Sequence, residues 1–252
     1  GRWRPYIGRM RKFLFICAGL IVVASVGARA DVRGSGVIIS DDGVVLSSAH
    51  VVRRCRAVTV QGAGFPVSKA VIVSINKAED LAVLKTGLRS PEYAKFGASY
   101  DLMRGEIAYT FGYPGGYRLG MFGSTGRIIG KAVVGRGTSW VREEVNKVSS
   151  PVIRGFSGGP AFNACGHLIG VISKRLDGKK LREKTGLIAG PETFLTTKEA
   201  ILRMMEVAQY PKAGFGDGAE GRFPLCPRKN HMAPTKVKEF AQYVTVSVEC
   251  QQ

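Results

Sequence analysis

The sequence predicts an all-β protein, and three features of the 252-residue chain support that prediction. Short β-branched and apolar runs recur between turn residues, the chain carries 33 glycines, and no repeat of solenoid period is visible. The segment Asp41-Asp42-Gly43 separates the first two runs and is typical of a hairpin. Strands at this spacing favour a barrel or a sandwich over alternating βαβ units. With 45% hydrophobic residues, the chain can bury a sizeable core as one or two domains.

Nine strands and one helix are predicted from the hydrophobic patterns. The strands cover residues 36–40, 44–48, 57–61, 67–74, 81–85, 106–111, 124–134, 140–148 and 167–173. The helix covers residues 196–206, and we expect its apolar face to pack on a barrel rather than to bind a cofactor. An alternating run at 243–248 is a further strand candidate that could fill a vacant sheet edge.

A serine followed by two glycines lies in Gly155-Phe156-Ser157-Gly158-Gly159-Pro160. A turn of this kind can present a hydroxyl as a nucleophile, although the same residue types also form ordinary turns. A serine hydroxyl becomes a good nucleophile only when a neighbouring base takes its proton. A catalytic role for Ser157 therefore requires a histidine and an orienting carboxylate elsewhere in the chain.

Only one of the three histidines, His50, lies in a pattern expected of a catalytic base. The β-branched run at 44–48 predicts a strand that delivers His50 at its end. Asp80 comes directly before the predicted strand at 81–85. Each residue alone is also compatible with a structural role. Their chain order, His50 then Asp80 then Ser157, is that of one known class of catalytic triad, and the three together favour catalysis.

These segments resemble the trypsin-like serine peptidases, and in particular the protease domain of the HtrA (DegP-like) branch. The likeness covers roughly residues 34–208. The matching segments are Gly34-Ser35-Gly36-Val37-Ile38-Ile39-Ser40, Ala49-His50-Val51-Val52, Asp80-Leu81-Ala82-Val83-Leu84, Gly105-Glu106-Ile107-Ala108-Tyr109-Thr110-Phe111-Gly112-Tyr113-Pro114 and the serine segment. The resemblance implies two six-stranded antiparallel β-barrels of the chymotrypsin type with a C-terminal helix. It places His50 and Asp80 on the first barrel and Ser157 on the second.

The roles implied for these residues are those of a serine endopeptidase. His50 would take the Ser157 proton, Asp80 would orient the imidazole, and the backbone N–H groups of Gly155 and Ser157 would form an oxyanion hole. The alternative is a catalytically silent binding or chaperone-like module that uses its basic surface. Polypeptides are the expected substrates, and no cofactor or metal is predicted, because no cysteine spacing indicates zinc.

Phe156 departs from the family pattern, in which digestive enzymes carry aspartate and HtrA-like enzymes usually carry asparagine. An aromatic side chain cannot form the ion pair by which a freed N-terminus activates the digestive enzymes. We therefore predict no activation of that kind. The resting geometry of the loop is left open, and ordering only upon substrate binding is one alternative.

The primary specificity pocket is predicted from the positions that line it in relatives. Those positions correspond to Pro151, Val152, Ile153, Ile172 and Ser173. None of them is acidic, which disfavours cleavage after Lys or Arg. We expect a preference for small or medium apolar residues before the scissile bond.

The N-terminal residues 1–30 are predicted to be a secretory signal or a short membrane anchor. Met10-Arg11-Lys12 precedes an uncharged run at 13–28, and Ala28-Arg29-Ala30 fits a small-x-small cleavage site. An alternative is that part of residues 20–26 forms a strand ahead of the Gly-Ser-Gly segment. The protease domain is assigned to 31–209, and a C-terminal extension to 210–252. The last 42 residues are too short for the PDZ domain of many HtrA relatives.

Cysteine usage is compatible with an exported, secreted or periplasmic, protein. Cys55, Cys165, Cys226 and Cys250 remain if Cys17 is removed with the signal, and four cysteines permit three connectivities. One arrangement joins the two tail cysteines, Cys226 and Cys250, and leaves Cys55 with Cys165.

The chain is strongly basic, with 37 Lys and Arg residues against 19 Asp and Glu residues and a net charge of +18. Loss of residues 1–30, which contain six basic and no acidic residues, would leave +12. Such a charge favours anionic surfaces, polymers or substrates. Basic residues cluster at 179–184 and 228–238 without interleaved aromatics, so no dedicated nucleic-acid site is expected. The sequence does not indicate an oligomeric state.

Overall fold

The computed structural model describes residues 1, 32–97, 102–136, 139–175, 191–210 and 226–252, and these form two closed six-stranded antiparallel barrels. The first barrel has the order β1-β12-β3-β4-β5-β2, and the second has the order β10-β11-β8-β7-β6-β9. The predicted fold class is therefore confirmed. The predicted signal or anchor, the alternative strand at 20–26 and the basic cluster at 179–184 lie outside the described residues.

Strands β1 to β5 and the C-terminal β12 form the first barrel, and β6 to β11 form the second. Their bounds are β1 (Val32–Ile38), β2 (Val44–Ser48), β3 (Ala57–Gly62), β4 (Ser68–Asn76), β5 (Leu81–Thr86), β6 (Ile107–Gly112), β7 (Phe122–Arg136), β8 (Ser139–Val148), β9 (Pro160–Phe162), β10 (Leu168–Arg175), β11 (Thr193–Thr196) and β12 (Thr245–Gln251). The helices are α1 (Ala49–Val52), α2 (Lys198–Val207) and α3 (Pro234–Val244), with short 3-10 turns at Tyr117–Leu119 and Arg228–Asn230.

Strand β5 shows how the first barrel packs against the second. Ala82 and Leu84 point into the first barrel, whereas Leu81 and Val83 belong to a core cluster shared with Phe111 of the second barrel. A strand buried on both faces needs apolar residues at successive positions, which explains the uninterrupted run in the sequence. The inter-barrel interface is therefore a hydrophobic core in its own right.

The C-terminal strand β12 closes the first barrel. It lies between β1 and β3, with Val248 opposite both Gly34 and Val60. Its side chains at Val246 and Val248 are fully buried in the barrel interior. The alternating run near the C-terminus thus fills the sheet edge, as its pattern predicted, and β1 begins at Val32 without a preceding strand among the described residues.

Two disulfides fasten the tail, but their connectivity differs from the pairing that the sequence suggested. Cys55 bonds to Cys250, with Cα atoms 5.2 Å apart, and Cys165 bonds to Cys226, with Cα atoms 5.7 Å apart. The predicted pairing of Cys226 with Cys250 was wrong. Strand β12 pairs with β3, and this pairing places Cys250 beside Cys55, in the segment just before β3. Each bridge therefore joins the tail to a barrel rather than to itself.

Helix α3 was missed, and so the expectation of a single clear helix was wrong. Pro234 occupies its first turn, where proline is tolerated, and Val237, Ala241 and Val244 form a buried stripe at helical spacing. The ring of Phe240 packs edge-on to that of Phe162 in the second barrel, at a centroid distance of 5.6 Å. Helix α3 thus covers the seam between the barrels and feeds β12 into the first one.

Helix α2 begins two residues later than predicted. Thr197 is its N-cap and accepts a hydrogen bond from the Ala200 N–H, while Thr196 still belongs to β11. Its buried face carries Ile201, Met204 and Met205, which confirms that this face packs on the barrels. No helix in the described ranges combines the length and the apolar character needed to cross a membrane.

Removing α3 and β12 by ending the chain at Pro211 is expected to abolish cooperative folding and peptidase activity. Five strands would remain in the first barrel, with the β1 and β3 edges unpaired and the Val246 and Val248 sites empty. Thermal unfolding monitored by circular dichroism checks this, with a chain lacking only Gln252 as the control. A shortened chain that unfolds cooperatively at the native temperature would contradict the placement of β12.

Replacing both Cys55 and Cys250 by serine should lower the free energy of unfolding by about 5 kcal/mol, because the bridge closes a very long loop. The two residues are 195 positions apart, against 61 for Cys165 and Cys226. The corresponding Cys165 and Cys226 double variant should lose about 4 kcal/mol on the same model. Denaturant titration measures both losses. Non-reducing peptide mapping that recovers a Cys226–Cys250 link would contradict the connectivity.

Candidate active site

His50 lies where the first barrel meets the second. Strand β2 ends at Ser48, which occupies the N-cap position of the short helix α1, and His50 is the second residue of that helix. The neighbouring Val51 and Val52 are buried in the first barrel, so the helix is held by its apolar side. The His50 side chain is 38% exposed and therefore reachable by a ligand.

Asp80 is bound to the start of α1 by three hydrogen bonds. The His50 Nδ1 atom lies 2.8 Å from Asp80 Oδ2, and the His50 backbone N–H donates to Oδ1 at 3.0 Å. The Asp80 carbonyl accepts from the Ala49 N–H at 3.0 Å. Asp80 is 2% exposed and has a φ of 54°, a left-handed conformation that aspartate tolerates better than most residues. The carboxylate is thereby aimed at the ring nitrogen and fixes which nitrogen carries the proton.

The loop that carries Ser157 is wedged against the first barrel. Gly158 has a φ of +86°, and a Cβ placed there would lie 2.1 Å from the Ser35 carbonyl oxygen and 2.8 Å from the Ser48 nitrogen. A Cβ on Gly159 would lie 2.1 Å from the Phe111 carbonyl oxygen. Both positions therefore require glycine, which is the physical reason for the two glycines after the serine.

Hydrogen bonds then fix the backbone of Ser157 across the seam. The Ser157 carbonyl accepts from the Ser35 N–H at 2.8 Å, and the Gly158 N–H donates to the Ile172 carbonyl at 2.7 Å. The same Ile172 carbonyl accepts from the Ser48 hydroxyl at 2.9 Å. Since Ser48 precedes the helix of His50, this shared acceptor ties the serine loop to the base of α1.

The residues before Ser157 form a type II turn. The Phe156 N–H donates to the Ile153 carbonyl at 3.2 Å, and Gly155 has a φ of +102°. A Cβ on Gly155 would lie 2.7 Å from the Pro114 Cα, so this glycine is also required by close packing. Within the described residues, the N–H groups of Gly155 and Ser157 donate to no protein acceptor. Two unused backbone donors thus flank Phe156.

Phe156 is buried inside the second barrel. It is 3% exposed and packs in a cluster that includes Ile128, Val148 and Leu195. The departure from the family pattern thus exchanges a polar side chain for a hydrophobic anchor. Because the anchor lies next to Ser157 in the chain, its burial limits the positions that the serine can adopt.

The Ser157 hydroxyl itself makes no hydrogen bond within the described part of the chain. The structure therefore joins His50 to Asp80 directly and brings the Ser157 backbone to the same seam, without a direct bond from the hydroxyl to the imidazole. Bonds between a nucleophile and its base are commonly looser in free enzymes than in substrate complexes.

The five predicted pocket residues have different environments. Val152 and Ile172 belong to the core of the second barrel, whereas Pro151 and Ile153 are exposed. Ser173 lies at an irregularity in the pairing of β10 with β11, and its buried hydroxyl has no partner among the described residues. Their shared property is that none carries a charge.

Ser35 was not predicted as a site residue, although its Gly-Ser-Gly segment was recognised. It is fully buried and contacts both ends of the loop from Gly155 to Ser157. Small residues in a strand report close backbone approach, but the sequence does not show which loop approaches.

One group of potential metal ligands occurs among the described residues. Ligand atoms of Cys165, Cys226 and His231 lie within 4.8 Å of one another. The two sulfur atoms are joined as a disulfide, and a disulfide cannot supply the thiolates that a metal would need.

Comparison with known proteins identifies the family of this chain. The sequence model of the trypsin-like peptidase domain matches residues 34–171, which is more than half of the chain. An uncharacterised protein of Sinorhizobium fredii, y4bJ, is 31% identical over 62% of this chain and 24% of its own length. A probable periplasmic DegP-like serine endoprotease of Pseudomonas fluorescens is 30% identical over 56% of this chain and 29% of its own length. The chain thus spans about a quarter of the length of these relatives.

A solved structure shows the same architecture. The HtrA-type protease AlgW, in complex with a decapeptide, superimposes with a TM-score of 0.57 at 26% identity, over 71% of this chain and 52% of AlgW. The resemblance drawn from the sequence is therefore confirmed. The chain belongs to the trypsin-like peptidase family, with relatives among the HtrA and DegP-like proteases.

Proposed function

We propose that this protein is a serine endopeptidase that uses His50, Asp80 and Ser157. The observation that carries the proposal is the buried carboxylate of Asp80, 2.8 Å from His50 Nδ1. The loop that carries Ser157 packs at the same seam, through close contacts that only glycine allows at positions 158 and 159. The His50 ring is 38% exposed, whereas the Asp80 carboxylate that bonds to it is buried. A buried acid that orients an exposed histidine is more typical of a functional site than of a structural one. The family relationship supports the same reading.

The reaction would proceed through an acyl-enzyme. The Asp80 carboxylate accepts the Nδ1–H of His50, which leaves Nε2 as the acceptor nitrogen of the neutral ring. Nε2 takes the Ser157 proton as the oxygen attacks the scissile carbonyl, and the resulting imidazolium is stabilised by Asp80. The imidazolium then protonates the leaving amine. Water, activated by the same nitrogen, hydrolyses the ester and restores Ser157.

The two unused N–H groups of Gly155 and Ser157 would receive the oxyanion of the tetrahedral intermediate. Each such donor contributes about 3 kcal/mol to the transition state. The positive φ of Gly155 supports this role, because the type II turn directs its N–H away from the turn's own hydrogen bond. The buried Phe156 supports a loop that is formed before substrate arrives, without an ion pair to a new N-terminus.

The substrates are proposed to be polypeptides with small or medium apolar residues before the scissile bond. The absence of charge at residues 151–153, 172 and 173 supports this preference, since a site for Lys or Arg needs a counter-charge. AlgW, a family relative, was solved with a decapeptide, which supports peptides as the ligand class.

Export is inferred as the setting of this activity. Two disulfides persist best in oxidising compartments, and the relative from Pseudomonas fluorescens is described as periplasmic. The hydrophobic run at 13–28 supplies the expected targeting or anchoring segment. Association with anionic surfaces or polymers is proposed as a consequence of the net charge of +18.

Replacing Ser157 by alanine is expected to lower kcat by about 10⁶-fold, because the substitution removes the proposed nucleophile. Hydrolysis of a fluorogenic peptide library by the purified full chain measures the loss. The matched control is Ser68→Ala, which removes a hydroxyl on strand β4 whose only hydrogen bond among the described residues is to the adjacent Lys69 carbonyl. Turnover by Ser157→Ala within tenfold of the unaltered chain would refute the proposed nucleophile.

The preference for the residue before the scissile bond is tested with the same library. We expect Ala, Val, Thr or Leu to exceed Lys and Arg by at least tenfold in kcat/KM, because an unpaired cation would be buried against apolar surface. Sequencing of the cleavage products identifies the residue. A dominant cleavage after Lys or Arg would show that an acid outside the five predicted positions defines the pocket.

A further inference from the structure

Ser35 bonds to both ends of the oxyanion loop, the segment from Gly155 to Ser157, once through its backbone and once through its side chain. Its backbone N–H donates to the Ser157 carbonyl at 2.8 Å, and its hydroxyl donates to the Gly155 carbonyl at 2.7 Å. The hydroxyl oxygen also accepts from the Tyr113 N–H at 2.8 Å. Ser35 of strand β1 thus hydrogen-bonds the first barrel to the oxyanion loop of the second barrel.

The direction of these bonds is unambiguous. The Tyr113 N–H can only donate and the Gly155 carbonyl can only accept, so the one proton of the Ser35 hydroxyl must point to Gly155. Ser35 is fully buried, and a Cβ placed on Gly112 would lie 3.0 Å from its Oγ. The hydroxyl is therefore closely packed and shielded from solvent.

Gly155 needs such an external constraint. A glycine adopts negative and positive φ with similar ease, so its own conformational preference does not hold the value of +102°. Rotation of the Gly155 peptide groups would turn away the N–H donors on which the proposed oxyanion hole depends. The bond from Ser35 fixes the Gly155 carbonyl, which belongs to the peptide group between the two that carry these donors, and so restricts the rotation of both neighbours.

A second contact reinforces the same arrangement. The Tyr113 ring is buried, which raises the pKa of its phenol to about 12, and its backbone lies against Gly155. A Cβ on Gly155 would lie 2.8 Å from the Tyr113 carbonyl oxygen. Ser35 thus bonds both to the loop and to the segment on which the loop rests.

We propose that Ser35 is a positioning residue for the oxyanion loop, and that its hydroxyl holds the Gly155 and Ser157 N–H groups in the orientation that stabilises the transition state. The proposal rests on the proposed peptidase function. It assigns to Ser35 an effect on transition-state stabilisation rather than on substrate binding, because Ser35 is buried behind the loop.

The test compares the full chain with Ser35→Ala, Ser35→Cys and the control Ser90→Ala. Ser90 is a matched control, since it is also buried and its hydroxyl also donates to a backbone carbonyl, that of Glu92, in the loop that follows β5. Active sites are titrated with a phosphonate so that kcat refers to folded, reactive enzyme. The readouts are kcat, KM, the inhibition constant of a peptide boronic acid, and Tm.

Ser35→Ala is expected to lower kcat per titrated site by about 10- to 100-fold with KM changed less than about twofold. The affinity for the boronic acid, which forms a tetrahedral adduct, should fall by the same factor as kcat/KM. Ser35→Cys, whose thiol is a weak donor, should give an intermediate value, and Ser90→Ala should match the unaltered chain.

An unchanged kcat per titrated site in Ser35→Ala, or a raised KM at constant kcat, would overturn the assignment, even if Tm fell. If Ser35→Ala does not fold, the near-isosteric Ser35→Cys decides by the same criteria. Ser157→Ala is measured alongside. Activity in that variant would contradict the peptidase function itself, whereas an inert Ser157→Ala beside a fully active Ser35→Ala would contradict only the role of Ser35.

Discussion

The arrangement of the site depends on the absence of a side chain at Gly158. The loop of the second barrel approaches the first barrel so closely that a Cβ at this position would meet the Ser35 carbonyl at 2.1 Å. This contact lets the Ser157 carbonyl accept from the Ser35 N–H across the seam, beside the bond from the Ser48 hydroxyl to the Ile172 carbonyl. The hydrophobic interface around Leu81, Val83 and Phe111 holds the barrels at that separation. The position of the Ser157 backbone is thus a consequence of packing between two closed barrels.

The first barrel in turn depends on the end of the chain. Strand β12 pairs with β1, the strand that carries Ser35, and its Glu249 lies 3.4 Å from Arg33. Arg33 also donates to the Gly115 carbonyl, in the segment on which Gly155 rests. An exposed ion pair of this kind contributes little stability. The pairing of β12 with β1, and the bridge from Cys250 to Cys55 beside α1, connect the tail mechanically to the site.

Much of this fold could be predicted from the sequence, because the buried residues of most strands form a regular apolar pattern along the chain. The bounds of β2 were predicted without error, and the predicted end of β5 is one residue too early. Both strands are predicted well because they are apolar runs between turn residues. Strands β9 and β11 escaped prediction because three or four residues carry too little periodicity. Helix α3 escaped because proline and charges mask a stripe of only three buried residues. Hydrophobic pattern therefore predicts an element well when the residues that it buries form a long, regular run in the sequence.

Features that arise from tertiary contact were beyond local pattern. The disulfide connectivity follows from the insertion of β12 between β1 and β3, which no spacing of cysteines encodes. The pairing of His50 with Asp80 was predicted from residue type and order. The hydrogen bonds of the Ser35 hydroxyl were not predicted, because its partners Tyr113 and Gly155 lie 78 and 120 residues away. Phe156 was noticed as a departure, but only the structure shows that it anchors the loop in the second barrel.

The most direct test of the account is the reaction of the full chain with diisopropyl fluorophosphate, followed by mass spectrometry of its peptides. If the seam places Ser157 within reach of His50, one equivalent should attach to Ser157, and His50→Ala should slow the labelling by at least about 100-fold, as loss of the general base requires. Attachment to another serine, or labelling of Ser157 at the same rate without His50, would contradict the proposed coupling of the two barrels.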